Sequence, residues 1–439
     1  MRHGTPSHGL SLSRLWALVC NPSPGRLGHA LRMAAGCTTT VLVGEIWQVP
    51  DLAVPALVTM ALWQKDRVTN ALAAVGINII VIFLLAFVFG LVRLTLDHPM
   101  GLVIIIALLS FGFFFLGSAS KLKPVAYMLG LIIVYALIAI DQVPVGEIVT
   151  RAVLYADLFL AVPGAVMVVL GLLICPSPKT VLTDGIAARL NLSIALLQHP
   201  DDKLIDHATR LLRAGSAEMM GNVKMAGLEK IWSPHDLACL RQAANASVAV
   251  LALSIKAAQA HATAPPELTG MLADMAAMFE AGDYPVDIPL PTPVGNCAAL
   301  HDLAALLPTF TTPADVQPDK TGGHAGFFAP DAFTNPGHVR FAVKGTAAVM
   351  SSYLLFKTLD WPGIHTCIIT CFIVALPTTG EMISKLTLRI AGAPIGGAVG
   401  ILSIIFVMPH LDGITGFLVL VFAVSLLGAW IKTGDARIA

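Results

Sequence analysis

Long apolar stretches broken by short polar punctuation fill residues 30–175, and the same texture returns from about 340 to 431. The first region divides into apolar runs at about 30–48, 51–64, 68–93, 99–118, 124–140 and 148–175, and the second into runs at about 340–358, 363–379, 385–409 and 413–431. Runs of this length suit membrane helices, since about 20 apolar residues cross a hydrocarbon core of about 30 Å. Residues 176–337 read differently. Pro176-Ser-Pro178 stops the sixth run, and helical periodicity then appears in a polar, Ala/Leu-rich context, as in Ile186-Ala-Ala-Arg-Leu-Asn-Leu-Ser-Ile-Ala-Leu-Leu197. A Pro/Gly/Asp-rich loop over about 283–337 closes that region. Ahead of the first run, Leu15 to Cys20 is too short for a signal-peptide core, and residues 10–20, with Trp16, read as an interfacial helix ended by Asn21-Pro-Ser-Pro-Gly25.

The pattern predicts an all-α membrane protein in four parts. These are an N-terminal arm (1–29), a six-span bundle (30–175), a helical domain (176–337) and a second bundle of four spans (338–439). Composition agrees: 56% apolar, 12% charged, with a mean hydropathy of +0.79. Those figures exclude a soluble globular chain, a disordered chain and a nucleic-acid binder.

Charge adds orientation. At the span ends one side collects Arg2, Arg14, Arg26, Arg32, Lys65, Arg67, Lys121, Lys123, Arg340, Lys344, Lys385, Arg389, Lys432 and Arg437, and the other only Arg93, Arg151 and Lys357. The positive-inside rule makes the richer side cytoplasmic, and with it the N-terminus and the middle domain. The balance of 27 basic and 27 acidic residues conceals an acidic middle domain (10 basic, 16 acidic) and cationic membrane portions (17 basic, 11 acidic). That distribution makes a docking surface between the two plausible on charge grounds.

An internal likeness runs at an offset near 308–317. Arg32-Met-Ala-Ala-Gly-Cys-Thr-Thr-Thr40 parallels Arg340-Phe-Ala-Val-Lys-Gly-Thr-Ala-Ala348, Val49-Pro-Asp51 parallels Leu359-Asp-Trp-Pro362, and Leu116-Gly-Ser-Ala-Ser120 parallels Thr433-Gly-Asp-Ala-Arg437. Six spans separate the copies, so the repeat is a parallel one. The second copy ends after four spans, and the repeat therefore predicts two more helices and a chain truncated at its C-terminus.

Ionisable groups inside spans are costly and thus functional candidates. Glu45 and Asp157 are the clearest, with Arg151 and Tyr155 shortly before Asp157. Asp157 reads either as a structural pair with a neighbouring helix or as a proton or substrate relay; Glu45, close to Pro50, reads more simply as solvated at the interface. The densest constellation is Asp360-Trp-Pro-Gly-Ile-His365-Thr-Cys, followed by Ala375-Leu-Pro-Thr-Thr-Gly-Glu381 and then Lys385 and Arg389. Pro377 and Gly380 interrupt a span there, and broken spans in matching positions of two repeats point to a transport site. The short second run, ending Trp63-Gln-Lys-Asp-Arg67, is the counterpart. His365 is either a proton-coupling group or a hydrogen-bonded helix-start residue. Lys65, Arg67, Lys385 and Arg389 are placed to draw an anionic substrate to the inner mouth, or serve orientation alone. Gly392, Gly396 and Gly400 share a helix face and read as a packing surface. Cys367 and Cys371 read as small packing residues, so no metal and no cofactor is expected. There is no phosphate loop, nucleophile elbow or HExxH motif, and no enzyme is expected either.

The run from Asp360 to Glu381, with Lys385-Leu-Thr-Leu-Arg-Ile-Ala-Gly392, resembles the fusaric acid resistance (FUSC) family, most nearly its permeases for aromatic acids and multiple drugs. Cys20-Asn-Pro-Ser-Pro-Gly-Arg26 and the stretch from Leu182 to Glu229 resemble it too. The resemblance implies two six-span halves joined by a cytoplasmic domain in a bacterial inner-membrane exporter of organic acids or drugs. It also implies proton coupling and a tripartite pump with a periplasmic adaptor and an outer-membrane channel. A passive organic-anion channel is the alternative, and the oligomeric state, including a homo-oligomer, stays open.

Overall fold

In a computed structural model, the chain is described over residues 25–49, 52–95, 99–120, 123–141, 146–285, 287–288, 297–311, 328–359, 366–374 and 379–434. The expected interfacial helix at 10–20, Asp360 and His365 lie outside the described residues. Sixteen α-helices are described: α1 (Arg26–Ile46), α2 (Ala53–Leu62), α3 (Arg67–Thr95), α4 (Pro99–Ala119), α5 (Lys123–Asp141), α6 (Gly146–Ile174), α7 (Pro178–Gln198), α8 (Asp202–Ala214), α9 (Ala217–Leu228), α10 (Pro234–Gln259), α11 (Pro266–Glu280), α12 (Ala298–Leu306), α13 (Pro336–Leu359), α14 (Thr366–Val374), α15 (Thr379–Leu402) and α16 (Ile414–Lys432). Among the described residues there is no strand, only an isolated bridge between Ser120 and Phe328.

Helix starts follow local chemistry. Ser177 and Ser233 each precede a proline, and each hydroxyl accepts a hydrogen bond from the backbone three residues on, Thr180 N and Asp236 N, both at 3.1 Å. Asp66 does the same for α3 through Thr69 N at 2.8 Å. Gly215, with φ +65°, ends α8 where a side chain would be strained.

Among the described residues, seven helices are long and apolar enough to cross a membrane. Five of them, in α3, α4, α6, α15 and α16, have mean hydropathies of 2.2–2.9. The other two, α7 and α10, reach only 1.3 and 1.4 and are about half buried by protein. They pack with α11, α9 and α12 around Leu182, Ile186, Leu240, Leu272, Phe279 and Phe310, a protein core of the soluble type. The chain is thus an all-α membrane protein with a separate helical core in its middle.

In the membrane region α3 packs on α6, α4 on α5, and α1 on both α2 and α6. Two further pairings join its early and late helices: α1 packs on α16, and α13 packs on α4. Each of these pairs joins the first apolar helix of one region to the fourth of the other. α2 is short: its 10 residues rise about 15 Å, half of what a span needs.

Candidate transport site

The carbonyls of the last turn of the half-length α2 have no helical donors and need other partners. Lys432, at the end of α16, meets that need: its ammonium donates to Ala61 O at 3.0 Å and also to Met60 O. A cation at a helix C-terminus also complements the helix dipole. Nearby, the Arg26 guanidinium lies 4.1 Å over the Trp430 ring and donates to Trp430 O at 2.6 Å. The other wall of α2 is tied to α1 by buried hydroxyls, Thr40 Oγ1 and Thr59 Oγ1 at 2.8 Å. Trp63 follows α2 and lies flat on α1 at Gly36, where any Cβ would strike the indole. Its Nε1 is a buried donor with no hydrogen-bond partner, as is buried His29 Nδ1 an orphaned ring nitrogen.

Beyond Trp63 a polar seam runs up between α3 and α6. Asn70 Nδ2 donates to Met167 O at 2.8 Å, and its Oδ1 accepts from Gln64 N at 3.0 Å. Its amide fills the space a side chain at Gly171 would take. Two turns on, Asn78 occupies the corresponding space at Gly164 and donates to Ala74 O at 2.7 Å. Pro163, inside α6, leaves the Phe159 carbonyl without its usual helical donor beside this seam. Asp157, Gly164 and Gly171 are spaced by seven, so the half-buried Asp157 continues the face that α6 turns toward α3.

The other expected residues are scattered. Glu45 is exposed in the last turn of α1. Lys65 and Arg67 are engaged by the middle region: Lys65 Nζ lies 2.6 Å from Glu218 Oε1, and Arg67 Nε 2.8 Å from Glu229 Oε1. The Arg67 amide donates to Pro176 O at 3.0 Å, closing the same joint through the backbone. Glu381 lies in the first turn of α15, and Lys385 and Arg389 are exposed further along it. No described atom comes within 4 Å of where a Cβ would stand at Gly392, Gly396 or Gly400. The structure therefore brings Lys65, Arg67 and the Asp157 face to one bundle and leaves Lys385 and Arg389 apart from them. Sequence reasoning missed His29, Asn70, Asn78 and Lys432. The heptad Asp157–Gly164–Gly171 was the available signal for the seam.

Two polar groupings elsewhere are structural. Tyr284 donates to Asp236 Oδ1 at 2.8 Å. The hydrogen bonds from Ser233 and then Tyr284 hold the Asp236 carboxyl below the usual carboxylate range, and Asp236 pushes the Tyr284 phenol up to about 12. This brace ties the segment after α11 to the start of α10. Cys371 Sγ lies 3.8 Å from Ser352 Oγ in the α13–α14 contact.

The chain is similar over most of its length to curated bacterial proteins. It is 26% identical over 428 residues to multidrug resistance protein MdtO of Escherichia coli K12, covering 94% of this chain and 62% of that relative. The same protein of Escherichia coli O157:H7 is 25% identical over the same extent. MdtO of Shigella flexneri is 40% identical over 142 residues, 32% of this chain and 20% of that relative. The chain spans somewhat less than two thirds of the length of the relatives it matches along its whole course. No family model and no solved structure matches it. The likeness runs along nearly the whole chain and is accompanied by helices of membrane-spanning length, so the chain is a multi-pass membrane protein similar to these multidrug resistance proteins.

Proposed function

We propose that the chain serves an inner-membrane permease that exports organic acids or drugs, driven by the proton gradient. The observation that carries this reading is the near-full-length likeness to multidrug resistance proteins. Physical support comes from the α2–α3–α6 region, where a half-length helix, a cation at its end and a polar seam meet inside an apolar bundle. Asp157 is the preferred proton carrier, since it extends the Asn70–Asn78 seam and a carboxyl within a span is expensive unless used. Glu45, Asp360, His365 and Glu381 remain secondary candidates on sequence grounds, and Lys385 and Arg389 remain candidates for gathering anions. In this reading the cation-rich side, the N-terminus and the 176–337 domain are cytoplasmic. A periplasmic adaptor and an outer-membrane channel would complete the export path, as the family resemblance implies.

The test is accumulation of a fluorescent organic anion or dye in cells expressing the protein, with and without an uncoupler. Lowered accumulation that the uncoupler restores, and that Asp157→Asn also abolishes, is the expected result. Flux that follows the anion gradient with no proton movement would replace the exporter with a channel. Full coupled export by Asp157→Asn would remove Asp157 from the proton path.

A further inference from the structure

The turn after α9 is built unlike the rest of the middle region's surface. Leu228 and Ile231 are 58% and 63% exposed, although both are large and apolar. Between them, Lys230 adopts φ +54°, a left-handed conformation rare for a residue with a side chain, so the backbone doubles back and throws both apolar side chains outward. Trp232 follows, half-buried, with the Lys179 ammonium 3.6 Å over its ring. Lys224 and Lys230 are exposed beside it. The one acid in the turn is engaged: the Glu229 side chain is 6% exposed and held by Arg67.

That ion pair fixes the height of the turn. Arg67 is the first residue of α3, the most apolar spanning helix, whose candidate span is Arg67–Leu91. Glu218, at the other end of α9, reaches Lys65 in the loop just before it. Eleven residues is close to three full turns, so both carboxylates leave one side of α9, and the helix is tied at each end to the rim of the bundle. The turn therefore sits at the level where a spanning helix meets the headgroups.

We propose that the 228–232 turn is a membrane foot: Leu228 and Ile231 insert into the near leaflet, Trp232 lies in the interface, and Lys179, Lys224 and Lys230 face anionic headgroups. An apolar pair flanked by a tryptophan and lysines is the composition of an interfacial anchor, and its charge is complementary to an anionic leaflet. The proposal rests on reading α3 as a membrane span.

The experiment uses the full chain with its seven cysteines replaced, reconstituted in bilayers that contain phosphatidylglycerol. Single cysteines at Leu228→Cys, Ile231→Cys, Phe83→Cys and Met278→Cys carry an environment-sensitive fluorophore. Lipids with a nitroxide near the headgroup or at mid-chain act as quenchers. Phe83 is exposed within α3 and Met278 on the surface of α11. Expected is strong quenching at 228 and 231 by the shallow label, weaker quenching there by the deep one, deep quenching at 83, and none at 278. Replacing Lys224 and Lys230 together by Glu should reduce the shallow quenching at 231, and neutral lipid should remove the difference. Quenching at 83 with none at 228 and 231 would overturn the foot while leaving the span intact. Loss of quenching at 83 as well would overturn the span on which the proposal rests.

Discussion

The pairs α1–α16 and α4–α13 both join early membrane helices to late ones, yet they are held by opposite chemistry. At α4–α13 the contact is aromatic. Gly345 lets the Phe114 ring approach α13 so closely that a Cβ there would stand 2.7 Å from it. Phe341 of α13 meets that ring edge-on at 6.2 Å, and Phe372 of the adjoining α14 stacks on it with centroids 4.6 Å apart and rings inclined by 8°. At α1–α16 buried Ala30, Met33 and Ala429 are joined by cations, Arg26 on Trp430 and, from the end of α16, Lys432 on the open end of neighbouring α2. Lipid tails are as apolar as leucine, so burying apolar surface does not by itself drive helices together. One junction therefore depends on the shape of its rings, and the other on cations set against backbone carbonyls, of which Trp430 O also accepts from Thr433 Oγ1.

The largest expected effect comes from removing the shape. Phe114→Ala should destabilise the protein by about 3–5 kcal/mol, the usual range for a fully buried phenylalanine. Thermal unfolding in detergent, followed by a probe on α13, would report it; a loss below about 1 kcal/mol would mean the rings do not hold this junction. Next come the cations. Arg26→Met and Lys432→Met keep most of the stem packing but remove the donors to Trp430 O and Ala61 O. Each should cost about 1.5–3 kcal/mol, the range for hydrogen bonds made by charged groups. Combining Arg26→Met with Phe114→Ala should give costs that add within about 0.5 kcal/mol if the junctions are independent. Strong coupling would instead show that the two junctions move as one body.

A smaller effect separates stacking from burial. In a double-mutant cycle, Phe114→Leu and Phe372→Leu should show a coupling of about 0.5–1.5 kcal/mol, the share specific to paired rings. A coupling near zero would leave only volume as the source of the junction.

Both junctions left traces in the sequence. The paired stretches Arg32–Thr40 and Arg340–Ala348 lie in α1 and α13, while Leu116–Ser120 and Thr433–Arg437 mark the ends of α4 and α16. These are the four helices that form the two early–late pairs. The short second span was also readable, from the distance between Pro50 and the polar run Gln64–Arg67. The partners were not. Nothing in a hydropathy profile separates Phe114 from Phe111 or Phe113, since ring-on-ring contact depends on helix rotation and on the glycine opposite. Asn70 and Asn78 escaped because an uncharged amide does not stand out within a span as a costly ionisable group does. The acidic middle region and cationic rim were visible as charge totals, but choosing Lys65 with Glu218 and Arg67 with Glu229 required the fold.

The smallest effect calibrates the cationic junction. Lys65 and Glu218 are 60% and 68% exposed, so water screens their pair and competes for both ends. Lys65→Ala should cost about 0.2–1 kcal/mol, and salt should erase most of it. Lys432→Met, whose ammonium is lodged on the end of α2, should keep its larger cost at the same salt concentration. The comparison turns on where the cation's water went. Lys65 retains its hydration whether or not Glu218 is present, whereas Lys432 has exchanged part of its hydration for carbonyls that lose their partner when it is removed. Equal, salt-sensitive losses at the two lysines would show that the end of α2 is hydrated after all, and would reduce the α1–α16 junction to an ordinary surface contact.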